Sequence, residues 1–77
     1  MAIASFVVKT DDEEQTVAVI ESLNGLSVHS VTENHEIIVL AEAPTVEEIQ
    51  QLGFSIQEMD ENAWSVTVAY VNSETDI

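Results

Sequence analysis

The apolar residues of this chain are most concentrated between Glu36 and Glu42, in the stretch Glu-Ile-Ile-Val-Leu-Ala-Glu. A half-exposed strand alternates apolar and polar residues, whereas an unbroken apolar run predicts a central strand that is covered on both faces. Pro44 and Thr45 end the run, and the run itself leaves open whether its odd or its even positions face the core. A chain of 77 residues supplies helices for only one face of a sheet, so we expect function on the other face.

Alternating side chains predict a first strand from Ala2 to Lys9. The face with the bulkier side chains is expected to meet the helices and carries Ala4, Phe6 and Val8. The opposite face carries Ser5, Val7 and Lys9.

The first helix is predicted to begin between Thr10 and Glu14, because capping side chains and carboxylates suit the free amides of a first helical turn. Its apolar stripe consists of Val17, Val19, Ile20 and Leu23. The pair Asn24-Gly25 supplies a left-handed stop. A calcium site is the alternative interpretation of the acidic run, but the Asp-x-Asp-x-Asp-Gly pattern is missing and we assign no metal.

A second strand is predicted over residues 26–31, and its mostly polar outer face is typical of an edge strand. The predicted core face carries Leu26, Val28 and Ser30, and the other face carries Ser27, His29 and Val31. The turn Glu33-Asn34-His35 joins this strand to the central one as a hairpin, with Asn34 tolerant of left-handed geometry. His29 and His35 suggest zinc, but no third ligand lies near them in the sequence, which favours a structural or surface role.

A capping-box pattern, Thr45-x-x-Glu48, opens the second helix. Its apolar residues recur at helical spacing at Val46, Ile49, Leu52, Ile56 and Met59. Gly53 leaves two interpretations open, because a glycine inside a helix costs about 1 kcal/mol relative to alanine. Either one helix continues to Met59, or it stops at Leu52 and a second piece follows.

The fourth strand follows the turn Asp60-Glu61-Asn62 and is rich in β-forming residues. Its predicted alternation places Trp64, Val66, Val68 and Tyr70 on one face and Ser65, Thr67, Ala69 and Val71 on the other. We expect Val66 and Val68 to be core residues, and the polar tail from Asn72 to fray.

The order β-α-β-β-α-β, with a hairpin in the middle and two right-handed crossovers, predicts a ferredoxin-like α+β sandwich. In this fold a four-stranded antiparallel sheet carries two helices on one face, and the first and third strands are central. The central position agrees with the apolar run of Glu36 to Glu42. Residues 1–77 are expected to form this single domain.

Fifteen acidic residues stand against one basic residue, Lys9, and the net charge is −14. Nucleic acid and anionic membranes are disfavoured as partners, because binding them relies on Lys and Arg side chains. A cationic partner is favoured. The alternative is that the acidic surface serves only solubility or reflects a saline habitat.

The chain has no cysteine, which excludes disulfides and thiolate chemistry and is unusual for a small secreted domain. Residues 1–9 contain no basic leader, and no stretch approaches membrane-spanning length. We therefore expect a cytoplasmic protein without membrane insertion.

A catalytic function is not indicated by any motif in the sequence. The chain has no Gly-x-Ser-x-Gly, no phosphate-binding glycine loop and no arginine. Acylphosphatases share the predicted fold but need an arginine, and heavy-metal-associated domains need Cys-x-x-Cys, so both are excluded. Adjacent carboxylates at Glu13-Glu14, Glu47-Glu48 and Asp60-Glu61 are predicted to be solvated, because helix starts and turns lack the apolar pocket that acid-base catalysis uses. We expect neither enzymatic activity nor a cofactor.

Four segments carry a family resemblance: Ser5–Val8, Gly25–His29, Glu36–Glu42 and Ser65–Tyr70. In order, spacing and coverage of nearly the whole chain they resemble the NapD family, the small cytoplasmic chaperones of periplasmic nitrate reductase. The corresponding segments of that family read Ser-Leu-Val-Val, Gly-Val-Glu-Val-His, a Gly-Lys-hydrophobic run ending in Glu, and a final strand ending in Tyr-His.

The resemblance implies a chaperone that binds the twin-arginine signal peptide of a molybdoenzyme, the catalytic subunit NapA, and delays its export until the molybdenum cofactor is inserted. A basic, partly apolar peptide also suits an acidic domain with an uncovered sheet face. We predict that the peptide-binding residues lie on that face and are Ser5, Val7, Lys9, His29, Thr67 and Ala69. The alternative is an ACT-like regulatory or oligomerising module, which would bury the same face against a second copy or hold an amino acid.

Overall fold

The computed structural model describes residues 1–73 and arranges them in six elements. They are β1 (Ala2–Thr10), α1 (Glu13–Ser22), β2 (Leu26–Val31), β3 (Glu36–Ala43), α2 (Val46–Met59) and β4 (Ala63–Ser73). The strands form one antiparallel sheet in the order β2-β3-β1-β4, which confirms the predicted ferredoxin-like α+β fold and its two central strands. Asn72 and Ser73 belong to β4, and the rest of the tail predicted to fray lies outside the described residues.

The core lies between the sheet and the two helices. Its fully buried side chains come from both central strands and both helices and include Phe6, Val8, Ile37, Val39, Ile20, Ile49 and Ile56. Phe6 lies opposite Val39, and Val8 lies opposite Ile37, so the two central strands present one continuous apolar surface to the helices. The predicted burial of Phe6 and Val8 is confirmed.

The apolar run of β3 is covered on one face only, contrary to the expectation from its unbroken pattern. Ile37 and Val39 are buried beneath the helices. Ile38 is half-buried, and Leu40 is 41% exposed on the other side of the sheet. The odd-numbered positions therefore face the core, because register with β1 places them opposite the buried residues of that strand.

α1 begins within the predicted range of capping candidates, and α2 begins at the predicted capping residue Thr45. The carboxylate of Asp12 accepts a hydrogen bond from the backbone amide of Gln15 at 3.2 Å, at the start of α1. The hydroxyl of Thr45 accepts one from the backbone amide of Glu48 at 3.2 Å, at the start of α2. These bonds satisfy amides that the helices leave without a partner in their first turns.

Gly25 connects α1 to β2 and has a left-handed backbone, with φ of +92°, as the predicted helix stop requires. A Cβ atom at this position would lie 2.7 Å from the carbonyl oxygen of Glu42. The backbone amide of Glu42 in turn donates a hydrogen bond to the carbonyl oxygen of Gly25 at 2.8 Å. Glycine is needed here for its conformation and for this close approach to β3.

α2 is one continuous helix from Val46 to Met59, which decides between the two interpretations of Gly53. Ile49 and Ile56 lie about one turn to either side of Gly53, and both are buried against the sheet. A Cβ at Gly53 would lie 3.7 Å from Cζ of Phe6, an ordinary contact distance. Tertiary packing on both sides thus outweighs the low helix propensity of this glycine.

His35, rather than Asn34, takes the left-handed conformation in the hairpin between β2 and β3, with φ of +64°. Its backbone amide donates a hydrogen bond to the carbonyl of Thr32 at 3.0 Å. The predicted hairpin is confirmed, but its left-handed residue is His35 and not Asn34, the preceding residue that the sequence indicated. Histidine is among the non-glycine residues enriched in this region, and its ring pairs with the carboxylate of Glu13, which holds it there.

The register of β2 against β3 shifts by one residue at His29. Beyond the shift, Ser30 lies opposite Ile38 and Val31 lies opposite Ile37. The prediction that Ser30 faces the core and Val31 faces outward is therefore wrong. A single inserted residue reverses every later position of a strand whose side chains alternate with a period of two.

A similar shift occurs in β4 at Ala69. Tyr70 lies opposite Ser5, and Val71 lies opposite Ala4. The predicted alternation places Tyr70 on the helix side of the sheet and Val71 on the opposite side. Both assignments are wrong. The extra residue moves the Tyr70 ring to the uncovered face of the sheet.

Val68 lies opposite the buried Phe6 but is 46% exposed, so its predicted core position is wrong. Val66 and Val28, also predicted as core residues, are half-buried and pack against the core. The difference arises because α2 leaves the outer side of β4 uncovered. A cavity of about 270 Å³ opens there, lined by Phe6, Gln50, Gly53, Phe54, Gln57, Val66 and Val68.

Asp60 is only 2% exposed, whereas the pair Asp60-Glu61 is predicted to be solvated. Its carboxylate accepts a hydrogen bond from the hydroxyl of Thr16 and another from the backbone amide of Asn62, the latter at 2.9 Å. The hydroxyls of Thr16 and Thr10 lie 2.7 Å apart and are also hydrogen-bonded. These partners replace the water that a carboxylate would otherwise require.

Candidate functional site

The face of the sheet that points away from both helices is the candidate site, and we call it the open face. Register and alternation assign its side chains strand by strand. β1 contributes Ile3, Ser5, Val7 and Lys9; β3 contributes Glu36, Ile38, Leu40 and Glu42; β4 contributes Ser65, Thr67, Tyr70 and Asn72; β2 contributes Ser27 and Ser30.

Cross-strand pairing arranges these side chains in four rows, each running across the sheet. The first row holds Glu42, Ile3 and Asn72, and the second holds Ser27, Leu40, Ser5 and Tyr70. The third row holds Ser30, Ile38, Val7 and Thr67, and the fourth holds Glu36, Lys9 and Ser65. A glutamate therefore lies at each end of β3, and apolar side chains lie between the two.

These apolar side chains form what we call the apolar centre, consisting of Ile3, Val7, Ile38, Leu40 and Tyr70. Ile3 and Leu40 are each 41% exposed, and Tyr70 is 57% exposed. Val7 and Ile38 are half-buried between them. Single exposed apolar residues are ordinary on protein surfaces, but a contiguous group on one face is typical of a binding surface.

Four of the six predicted binding residues lie on the open face: Ser5, Val7, Lys9 and Thr67. Val7 and Thr67 lie directly opposite each other, and Ser5 lies in the neighbouring row. His29 and Ala69 are exposed and lie at the two register shifts, in the edge strands β2 and β4. The structure thus brings four of these residues together and places the other two at opposite edges of the sheet.

Two of the most exposed apolar residues of the open face, Ile3 and Tyr70, are absent from the sequence-based prediction, and Leu40 lies on the central strand, whose outward-facing positions the sequence left open. A signal for Leu40 exists in the sequence, because Glu36 and Glu42 have the same parity and mark the solvent-facing positions of β3. No comparable signal exists for Tyr70, whose orientation depends on the shift at Ala69.

One end of the open face is formed by Lys9, Glu36 and Trp64. The Lys9 Nζ atom lies 3.7 Å from Oε2 of Glu36 and 5.7 Å from the centroid of the Trp64 ring. Trp64 lies at a second register shift of β4 and is 60% exposed. The simple alternation predicts that Trp64 lies on the same face as Val66, but Val66 is half-buried and Trp64 is exposed. Trp64 instead lies within reach of the lysine of the open face.

The other end of the open face is formed by Glu42, which is exposed and lies opposite Ile3. Glu42 borders two clefts. One adjoins Ser27 and Leu40 on the open face, and the other contains Glu48 from the start of α2. The exposed carboxylate of Glu42 therefore borders both the apolar centre and the cleft that contains the second carboxylate, Glu48.

The electrostatics of the site follow from the composition, since the chain carries a net charge of −14. A surface of this sign attracts cationic partners and repels anionic ones. Among residues 1–73 no group of three or more His, Cys, Asp or Glu residues is arranged to hold a metal ion. Over the same range, neither helix has the length and apolar character needed to span a membrane. The arrangement suits an apolar segment that carries positive charge.

The chain matches the family model described as NapD protein over residues 1–75. Comparisons with curated proteins and with solved structures gave no match. The matched range contains all six elements and every residue of the open face.

Proposed function

This chain belongs to the NapD family, and we propose that it is a cytoplasmic chaperone for the twin-arginine signal peptide of NapA, the catalytic subunit of periplasmic nitrate reductase. While bound, it would delay export until the molybdenum cofactor is inserted. The family match carries this proposal, and it supports a chaperone role rather than an enzymatic one.

The open face supports the proposal by its chemistry. A twin-arginine signal peptide combines two adjacent cations with an apolar segment, and the open face combines the exposed carboxylate of Glu42 with the apolar centre. Ordering a flexible peptide costs several kcal/mol, so contact with the apolar centre must supply most of the net affinity. Charge then acts mainly on the association rate and on the choice of partner.

The proposal is tested by titrating the protein with a synthetic twin-arginine peptide and with two versions in which both arginines are replaced by lysine or by alanine. The single tryptophan, Trp64, provides an intrinsic fluorescence signal, and calorimetry provides an independent one. We expect the arginine peptide to bind most tightly, and added salt to weaken its binding without abolishing it. Equal binding of all three peptides, or of none at micromolar protein concentrations, would contradict the proposal and favour the regulatory or oligomerising module.

The location of the site is tested by adding the same charge to two surfaces. Leu40→Lys places a cation in the apolar centre, and Met59→Lys places one at the exposed end of α2, where the side chain is 56% exposed. Losing apolar contact and adding repulsion should weaken peptide binding by about tenfold or more in Leu40→Lys. Met59→Lys should bind like the unmodified protein, and both variants should keep the same circular dichroism spectrum. Equal weakening in both would place the peptide elsewhere.

A further inference from the structure

Resting on the proposed function, we propose that the open face binds its peptide in one direction only. The arginine pair would lie at the Glu42 end, and the apolar segment would run along the sheet towards Trp64. The proposal follows from a difference between the two glutamates of β3 that lie on the open face.

Glu36 is already paired. Its Oε2 atom lies 3.7 Å from the ammonium of Lys9, and the glutamate side chain is only 27% exposed. Lys9 is the single lysine or arginine of the whole chain. An arginine that approached this end would meet a like charge and would have to displace Lys9 from both Glu36 and the Trp64 ring.

Glu42 lies at the end of β3 farthest from Lys9, and its side chain is exposed. Its backbone is held by a 2.8 Å hydrogen bond from its amide to the carbonyl of Gly25, which fixes the point from which the side chain extends. Glu48 lines the same cleft and supplies a second carboxylate. Two adjacent guanidinium groups therefore find two acceptors here, and guanidinium binds carboxylate in a bidentate geometry that ammonium cannot reproduce.

The length of the open face fits this direction. Glu42 and Glu36 are six residues apart on one strand, which corresponds to roughly 20 Å at the rise of a β-strand. Leu40 and Ile38 lie between them, with Ile3 and Val7 beside them on β1. This length accommodates about six residues of an extended peptide or about 13 residues of a helix, within the range of a signal-peptide apolar segment.

Trp64 determines the chemistry of the end of the open face that lies farthest from Glu42. Its ring is 60% exposed and stands beside the neutralised Lys9 and Glu36 pair, so this end offers an aromatic surface without an unpaired carboxylate on β3. An apolar peptide terminus is better accommodated here than at Glu42, because it would not have to desolvate an unpaired charge.

The direction is tested with the unmodified protein and the twin-arginine peptide carrying a nitroxide at either terminus. A nitroxide beyond the apolar segment should quench Trp64 fluorescence on binding, and one before the arginines should leave it largely unquenched. Stronger quenching by the nitroxide at the arginine end would overturn the proposed direction.

The role of Glu42 is tested by two substitutions that change charge equally, Glu42→Gln and Glu36→Gln. We expect Glu42→Gln to weaken binding of the arginine peptide by about tenfold and to leave the alanine version nearly unchanged, because a charge-assisted guanidinium contact is lost. Glu36→Gln should change the affinity by less than about twofold, since its carboxylate is already paired with Lys9. An equal or larger loss in Glu36→Gln would overturn the inference. A wild-type protein that does not prefer arginine over alanine would instead contradict the proposed function, and the two failures are therefore distinguishable.

Discussion

Thr16 donates a hydrogen bond from its hydroxyl to Oδ2 of Asp60 and so joins the first half of α1 to the C-cap of α2, across 44 positions of sequence. Both side chains are buried, at 0% and 2% exposure. The second carboxylate oxygen accepts the backbone amide of Asn62 at 2.9 Å, and the Thr10 hydroxyl adds a 2.7 Å bond to Thr16. Within residues 1–73, no buried side-chain nitrogen or oxygen lacks a partner.

Removal of the Thr16 hydroxyl should therefore destabilise the fold. Thr16→Val keeps the shape of the side chain but leaves the buried carboxylate of Asp60 without one donor, which should lower the free energy of unfolding by about 1.5–3 kcal/mol. Thr16→Ser keeps the hydroxyl and should lose less. Urea denaturation of the three proteins measures the difference, and equal losses for valine and serine would show that the bond contributes little.

The two glycines should respond oppositely to alanine. At Gly53 a Cβ would meet Phe6 and Val66 at 3.7 Å, so Gly53→Ala should gain helix propensity and stabilise the protein by up to about 1 kcal/mol. At Gly25 φ is +92° and the Cβ would lie 2.7 Å from the carbonyl oxygen of Glu42, so Gly25→Ala should destabilise it by at least about 1 kcal/mol. Urea unfolding of both variants checks this contrast. Destabilisation by Gly53→Ala would mean that α2 packs on Phe6 more tightly than these distances indicate.

Alanine substitutions of two aromatic residues on opposite faces of the sheet should distinguish an effect on stability from an effect on peptide binding. Phe6 is fully buried, so Phe6→Ala should cost about 3–5 kcal/mol of unfolding free energy. Tyr70 is 57% exposed on the open face, so Tyr70→Ala should change stability by less than about 1 kcal/mol. The same Tyr70→Ala protein should bind the twin-arginine peptide more weakly. A folded Tyr70→Ala variant with unchanged peptide affinity would show that this ring is not part of the binding site.

Salt should stabilise this protein near neutral pH. The net charge of −14 produces repulsion that is stronger in the compact state than in the unfolded chain. Raising ionic strength to about 0.15 M shortens the screening length to about 8 Å and weakens that repulsion. The melting temperature should therefore rise with sodium chloride concentration, and it should rise less in Glu58→Gln/Glu61→Gln, which removes two exposed charges. An unchanged or falling melting temperature would show that self-repulsion is minor.

Local signals in the sequence determined the six elements and their order. Thr45 and Glu48 marked the start of α2, Gly25 marked the end of the first helical segment, and the alternation around Phe6 identified the buried face of β1. Each of these features depends on a few neighbouring residues, because capping, left-handed turns and strand periodicity act over short distances. The fold class, the central strands and the existence of an open face follow from them.

The tertiary structure alone decided which side chains occupy that face. The shifts at His29 and Ala69 depend on pairing with neighbouring strands, and the second of them moves Tyr70 into the apolar centre. The burial of Asp60 depends on Thr16, which is distant in sequence, and the ion pair of Glu36 depends on Lys9 across the sheet. A period-two pattern cannot reveal an inserted residue or a partner on another strand, because both are set by contacts that form only when the chain folds.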